Sequence, residues 1–157
     1  MSAQQIFEHA ALGSIIHYSD GTQRPPERHR RKLDAWEKRN NGGRLVRKQS
    51  QRRIGNSVLP ACITLHKGDY GSGEFIVLRV FQTFSVDSDL TFTVAEQPAV
   101  GSVLVLNNAG EDPELVHVAA TRQSAEEWLK THGYPGAVLQ ELSTEDRSVD
   151  AGEGRAA

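Results

Sequence analysis

The positive charges of this chain are concentrated in one segment. Twelve of the eighteen Lys and Arg residues lie between Arg24 and Arg53, a stretch with only three acidic residues and a formal charge of +9. The rest of the chain carries −11, so the overall charge of −2 hides the separation. The apolar runs of residues 54–142 are dense enough to fold.

Length and cysteine content limit the class of protein. A chain of 157 residues is the size of one ordinary domain. The single Cys62 excludes an intrachain disulfide and a Cys-rich zinc site, which favours a reducing compartment. Residues 1–13 lack the basic and apolar regions of a secretory signal, and no apolar run approaches the ~20 residues of a membrane span. We therefore expect a cytoplasmic protein without a membrane segment.

Two helices are indicated by their capping residues. Ser2 and Gln5 have the spacing of a capping box, which predicts a helix over residues 3–12. Near the other end of the chain, Ser124 and Glu127 have the same spacing and precede the apolar Trp128 and Leu129.

A third helix is predicted inside the basic segment, from Pro26 to Arg39. Proline suits a first helical turn, and the sequence Asn-Asn-Gly-Gly that follows Arg39 is typical of a helix end. Leu33 and Trp36 form a narrow apolar stripe, so we expect this helix to rest on a sheet.

The remaining apolar runs alternate as strands do. The run from Glu74 to Val86 is apolar on both faces, which predicts a central strand covered on both sides. The fold class that follows is α+β, a mostly antiparallel sheet of about six strands with two or three helices packed on one face. Residues 1–142 would form this single domain, and residues 143–157, which are acidic and lack large apolar groups, would form a disordered tail.

The basic segment is the strongest functional feature of the sequence. Its Arg residues outnumber its Lys residues nine to three, and guanidinium groups bind phosphate or carboxylate in pairs of hydrogen bonds. We therefore expect the helix-strand segment 24–53 to bind the phosphates of DNA or RNA with little sequence preference. The predicted contact residues are Arg28, Arg30, Arg31, Lys32, Arg39, Arg44, Arg47, Lys48, Arg52 and Arg53.

Two other interpretations of this segment stay open. It could dock on an acidic protein, which would make the chain an adaptor or inhibitor, or it could be a solvated surface neutralised by the acidic remainder. No helix-turn-helix, zinc finger or RNA-binding motif accompanies it. The sequence leaves the oligomeric state open.

Evidence for an enzyme is weaker. The six His residues are scattered without metal-ligand spacing, and we expect neither a metal nor a cofactor. His66 precedes Asp69 by three positions at a predicted strand end, and His17 precedes Asp20 in the same way. His66 and Asp69, with His17 converging on them, are the best catalytic candidates. Cys62 lies in an apolar strand and is expected to be a buried, inert thiol.

Overall fold

A computed structural model describes residues 1–107 and 111–148 of the chain. It confirms a mixed α+β fold with mostly antiparallel strands. Within the described ranges there are four short helices and ten strands. In chain order they are α1 (Ala3–His9), β1 (Ile15–Ser19), α2 (Arg30–Arg39), β2 (Asn41–Gln49), β3 (Arg52–Ile54), β4 (Ser57–Leu59), β5 (Cys62–Ser72), β6 (Phe75–Ser85), β7 (Thr91–Glu96), β8 (Val103–Asn107), β9 (Glu114–Ala119), α3 (Arg122–Thr131), β10 (Ala137–Glu141) and α4 (Thr144–Ser148).

The larger sheet has the strand order β6-β5-β2-β1-β7. Helix α1 covers one of its faces and begins with the predicted box, in which the Ser2 hydroxyl accepts from Gln5 N–H and the Gln5 side chain accepts from Ser2 N–H. The helix ends at His9 because Ala10 has extended dihedral angles. Ile6 packs here in a core that includes Ile16, Leu45, Leu65 and Phe92.

The smaller sheet has the order β10-β8-β9. Alternate residues of β8 face opposite ways, so Val103 and Val105 pack with α3, whereas Leu104 and Leu106 pack with Val46 of the larger sheet. All four of these side chains are buried. Strand β8 is therefore covered on both faces.

The prediction that residues 74–86 form a central covered strand is wrong. Strand β6 lies at the edge of the larger sheet and pairs only with β5 in the described structure. The two strands extend beyond the sheet as a hairpin, where the side chain of Phe75 is 79% exposed and that of Leu78 is 57% exposed. Although the run is apolar on both faces, neither face is covered near the tip of this hairpin.

Helix α2 differs from its prediction in extent and packing. It begins at Arg30 instead of Pro26, because residues 26–29 form a turn closed by the His29 N–H donating to the Pro26 carbonyl. No residue of α2 is buried; Leu33 and Trp36 are half-buried, and the Trp36 indole N–H donates to the Thr22 carbonyl.

Other segments also depart from prediction. Residues 49–56, without a strand in the prediction, contain β3, which pairs with β4 in a short hairpin. Helix α3 begins one turn early, with Thr121 and Ser124 as its capping box instead of Ser124 and Glu127. Residues 144–148 of the predicted tail form α4, and residues 149–157 lie outside the described residues.

Candidate functional site

The basic segment is distributed over three elements of the fold. Arg30, Arg31, Lys32 and Arg39 belong to α2, Arg44, Arg47 and Lys48 to β2, and Arg52 and Arg53 to β3, while Arg28 lies in the turn before α2. These elements give the cations different surroundings.

The four cations around the start of α2, here called the helix cations, are Arg28, Arg30, Arg31 and Lys32. All four are exposed. Arg28 donates to the imidazole of His29 at 3.3 Å, and none of the four has a carboxylate partner within the described residues. The first turn of α2 contains no acidic residue. Because a helix N-terminus is itself positive, each cation there is disfavoured by about 0.3–1 kcal/mol.

Arg39 at the other end of α2 is neutralised. Its guanidinium contacts Asp20 at 3.3 Å and Asp89 at 2.9 Å, and these carboxylates raise the Arg39 pKa. Hydrogen bonds from Thr22, and then from Asn40 and Arg39, lower the Asp20 pKa to about 2. Arg39 thus anchors the helix to the turn after β1 and to the segment before β7.

The cations of β2 are half-buried and serve the fold. Arg44 donates to the Gly13 carbonyl at 2.8 Å, and Arg47 donates to the Asp112 carbonyl at 3.2 Å. Burial lowers the pKa of Lys48. These contacts join β2 to the segments that precede β1 and β9.

Arg52 and Arg53, the hairpin cations, are exposed on β3. They follow the end of β2, whereas α2 precedes its start. The nine residues of β2 span roughly 30 Å at about 3.3 Å per residue. The basic segment thus presents two groups of exposed cations, one around the start of α2, which leads into β2, and one after β2 ends.

A cavity of about 300 Å³ lies between the larger sheet and β9. Its apolar wall comes from Val46, Phe81, Leu115, Val116 and Val118. Its polar groups are Arg44, His66, Asp69, Arg79, Glu114 and His117. The cavity therefore brings together the catalytic candidates His66 and Asp69.

A bulge places His66 and Asp69 on the same face of β5. In a regular strand, residues three apart face opposite ways. The register with β6 shifts between His66 and Gly68, and the extra residue, Lys67, turns to the other face and donates to the Tyr18 hydroxyl. His66 Nε2 consequently lies 2.6 Å from Asp69 Oδ1.

This contact defines a hydrogen-bonded dyad. Because an ionised carboxylate only accepts hydrogen bonds, Nε2 of the neutral imidazole carries the proton and Nδ1 retains a lone pair. The Nε atom of Arg79 lies 3.9 Å from the same Asp69 oxygen. The arrangement can orient the imidazole and leave Nδ1 as a hydrogen-bond or proton acceptor.

On the β9 side of the cavity, His117 belongs to a stack of rings. It lies parallel to Trp128 at a centroid distance of 4.5 Å, and the other face of Trp128 stacks on His132 at 3.9 Å. Burial, followed by the charges of His132 and Arg44, lowers the His117 pKa. The neutral form of His117 is therefore favoured at neutral pH.

The remaining catalytic predictions are not brought into this cavity. His17 is exposed on β1 and is absent from the cavity lining, and Asp20 is engaged with Thr22, Asn40 and Arg39. Cys62, predicted to be buried, is half-buried; its thiol donates to the Gln49 side chain at 3.2 Å, and burial raises its pKa. Sequence reasoning missed Arg79, whose only signal was a single cation within an apolar run.

Within residues 1–107 and 111–148, no three His, Cys, Asp or Glu side chains lie close enough to hold a metal ion. The described helices include none with the length and apolar character needed to cross a bilayer.

A family model described as "Uncharacterised conserved protein UCP036055" matches residues 1–146. The chain belongs to this family. The match spans both groups of exposed cations and every residue that lines the cavity. Neither the curated proteins nor the solved structures include a match to the chain.

Proposed function

We propose that this protein binds nucleic acid through phosphate contacts, with little sequence preference, as a cytoplasmic accessory protein. One observation carries the proposal. Of the twelve cations in the basic segment, only Arg24 and Arg39 contact a carboxylate within the described residues. The exposed helix and hairpin cations therefore retain their charge for an external partner, and they include six of the ten predicted contact residues.

The spacing of the two groups favours a long polyanion. Duplex DNA carries one negative charge per about 1.7 Å along its axis, so phosphates are available at any separation. The helix cations precede β2 and the hairpin cations follow it, and this strand alone spans roughly 30 Å, close to one turn of duplex, about 34–36 Å. An acidic protein remains the alternative partner, but it would need acidic groups at two distant positions.

The β2 cations have a structural role in this proposal. Arg44 and Arg47 hold backbone carbonyls, and Lys48 is half-buried. Arg39 is neutralised by its two carboxylates. The phosphate contacts are therefore assigned to the helix and hairpin cations.

A salt titration of binding to a fluorescent duplex tests the proposal. The logarithm of the binding constant should fall linearly with the logarithm of salt concentration, with a slope of about −0.9 per neutralised phosphate. With most of the six exposed cations engaged, we expect a slope of roughly −4 to −5. Absence of binding to both a duplex and a single strand at low salt would contradict the proposal.

Charge-removing variants test which residues make the contacts. R30Q/R31Q/K32Q should reduce the magnitude of the slope by roughly 2.7, and R52Q/R53Q by roughly 1.8. R122Q/K130Q removes two charges from α3 and serves as the matched control for R52Q/R53Q, with no change expected. If polyglutamate of equal charge competed as well as DNA, the acidic-protein alternative would replace the proposal.

A further inference from the structure

The cavity beside β9 has the dimensions of a small-molecule site. Its volume of about 300 Å³ is at the lower end of the ~300–1,000 Å³ typical of ligand pockets. Phe81, Val116 and Val118 give it an apolar wall, and charged side chains line the rest. An apolar wall with a few convergent polar groups is the usual composition of a binding site.

Two guanidinium groups with spare hydrogen-bond donors reach the cavity. Arg44 donates one N–H to the Gly13 carbonyl, and Arg79 donates to the Tyr134 hydroxyl over a long distance of 3.4 Å. Each guanidinium has five N–H donors. Both residues therefore retain donors in the paired geometry that suits a carboxylate or phosphate.

The Asp69 carboxylate already has two side-chain partners. It accepts from His66 at 2.6 Å and lies 3.9 Å from Arg79, so its charge is shared between two partners. The dyad adds one acceptor, the Nδ1 atom of His66, for a hydroxyl or N–H of a ligand. The side chain of His66 is 27% exposed, so solvent and small molecules can reach it.

Glu114 places a negative charge in the same cavity as the two arginines. It also lines the cavity, and its carboxylate has no ion-pair or hydrogen-bond partner in the described residues. Glu114 and His117 are three residues apart on β9, about 10 Å along a strand. Arg44 donates to the Gly13 carbonyl, and a Cβ added at Gly13 would lie 3.4 Å from Val118, so the guanidinium lies toward the His117 and Val118 end of β9. An anionic group is therefore favoured at the Arg44 and His117 end and disfavoured beside Glu114.

We propose that this cavity binds a small organic anion, a carboxylate or phosphate group on an apolar body. Arg44 and Arg79 hold the anionic group, the apolar wall contacts the body, and His66 Nδ1 accepts a hydrogen bond. This site is separate from the nucleic-acid surface and uses none of the helix or hairpin cations.

Titration of the full chain with phenyl phosphate and with benzoate, followed by amide NMR spectra, tests the proposal. At least one of these anions should cause saturable shifts at His66, Arg79 and Val116, and the tighter of the two identifies the preferred group. Benzyl alcohol, the neutral probe, should bind at least tenfold more weakly. The proposal is overturned by absence of saturable shifts with both anions at millimolar concentration, or by equal binding of benzyl alcohol.

Two variants with opposite expected effects test the location of the anion. R79Q should weaken binding of the preferred probe several-fold, and E114Q should tighten it because it removes a repelling charge. The dispersion of each spectrum reports whether the variant is folded. If both variants were folded and bound the preferred probe as tightly as the unmodified protein, the placement of the anion beside Arg79 and away from Glu114 would be overturned.

The two proposals can fail independently. R79Q should leave the affinity for duplex DNA and its salt slope unaltered, and R30Q/R31Q/K32Q should leave phenyl phosphate and benzoate binding unaltered. If the three-residue variant lost binding to the small anions as well, the cavity would not be the site at which they bind.

Discussion

His66 Nε2 lies 2.6 Å from Asp69 Oδ1 because a bulge in β5 brings residues three positions apart to the same face of the sheet. Lys67, the neighbour of His66, lies on the opposite face, where its ammonium group is 4.6 Å from the centroid of the Tyr18 ring. The bulge thus determines the His66–Asp69 contact, and ordinary alternation places Lys67 on the other side.

The first prediction concerns the tautomer of His66. The Asp69 carboxylate should hold the neutral imidazole with its proton on Nε2. Nitrogen-15 shifts of the ring should therefore show Nε2 protonated in the unmodified protein, and D69A should yield a mixture of tautomers. D87A, which removes a carboxylate elsewhere, is the control. A predominant Nδ1–H form in the unmodified protein would contradict the assigned contact.

The second prediction concerns the dependence of stability on pH. Burial lowers the His117 pKa below its usual 6.5, so the unfolded chain binds a proton that the folded chain resists. The stability contributed by neutral His117 is complete above pH 6.5 and is lost as pH falls through the lower folded-state pKa.

Urea denaturation at a series of pH values measures this contribution. H117F should reduce the acid sensitivity by at most about 1.4 kcal/mol per pH unit, the limit for one proton. An H117F slope equal to that of the unmodified protein would argue against burial of a neutral imidazole.

The third prediction concerns Gly43, which sequence reasoning placed at a helix end. It lies in β2, where an added Cβ would be 2.7 Å from the His66 carbonyl oxygen. G43A should therefore lower the free energy of unfolding by about 1–3 kcal/mol, as overpacking does. A Cβ added at Gly133 would meet no atom beyond its chain neighbours within 4 Å, so G133A should be neutral or stabilise by up to about 1 kcal/mol. Equal effects of the two substitutions on urea denaturation would contradict the close approach at Gly43.

The fourth prediction distinguishes an exposed hairpin from a central strand. Phe75 of β6 is 79% exposed, whereas Phe92 of β7 is fully buried. F75S should change the free energy of unfolding by less than about 0.5 kcal/mol, and F92A should lower it by about 3–5 kcal/mol. A large loss of stability in F75S would indicate that another surface covers the hairpin.

Local signals predicted some elements well. The Ser2–Gln5 box is present at the start of α1, and alternation of apolar residues located most strands within a few positions. These features depend on residues near each other in the chain. The antiparallel α+β class follows from them because many short strands separated by turns pair most readily with their neighbours.

Features that depend on distant partners could not be predicted. The pattern of β6 is apolar on both faces, but whether a strand is covered depends on what packs against it, and here the covered strand is β8. The separation of the basic segment into two exposed groups depends on β2 being a paired strand of nine residues. The approach of Arg79 to the predicted His66 and Asp69 pair depends on the register of β5 with β6.

The most direct test of the central claim compares the affinity of the full chain for duplexes of different length. The helix cations precede β2 and the hairpin cations follow it, and β2 spans roughly 30 Å, so we expect one duplex to contact both groups only above about 10 base pairs. We expect affinity to rise steeply between about 6 and about 16 base pairs, and R52Q/R53Q should abolish the rise. The claim would be contradicted if the affinity per binding site were the same for short and long duplexes. It would also be contradicted if R52Q/R53Q still showed the rise of affinity with length.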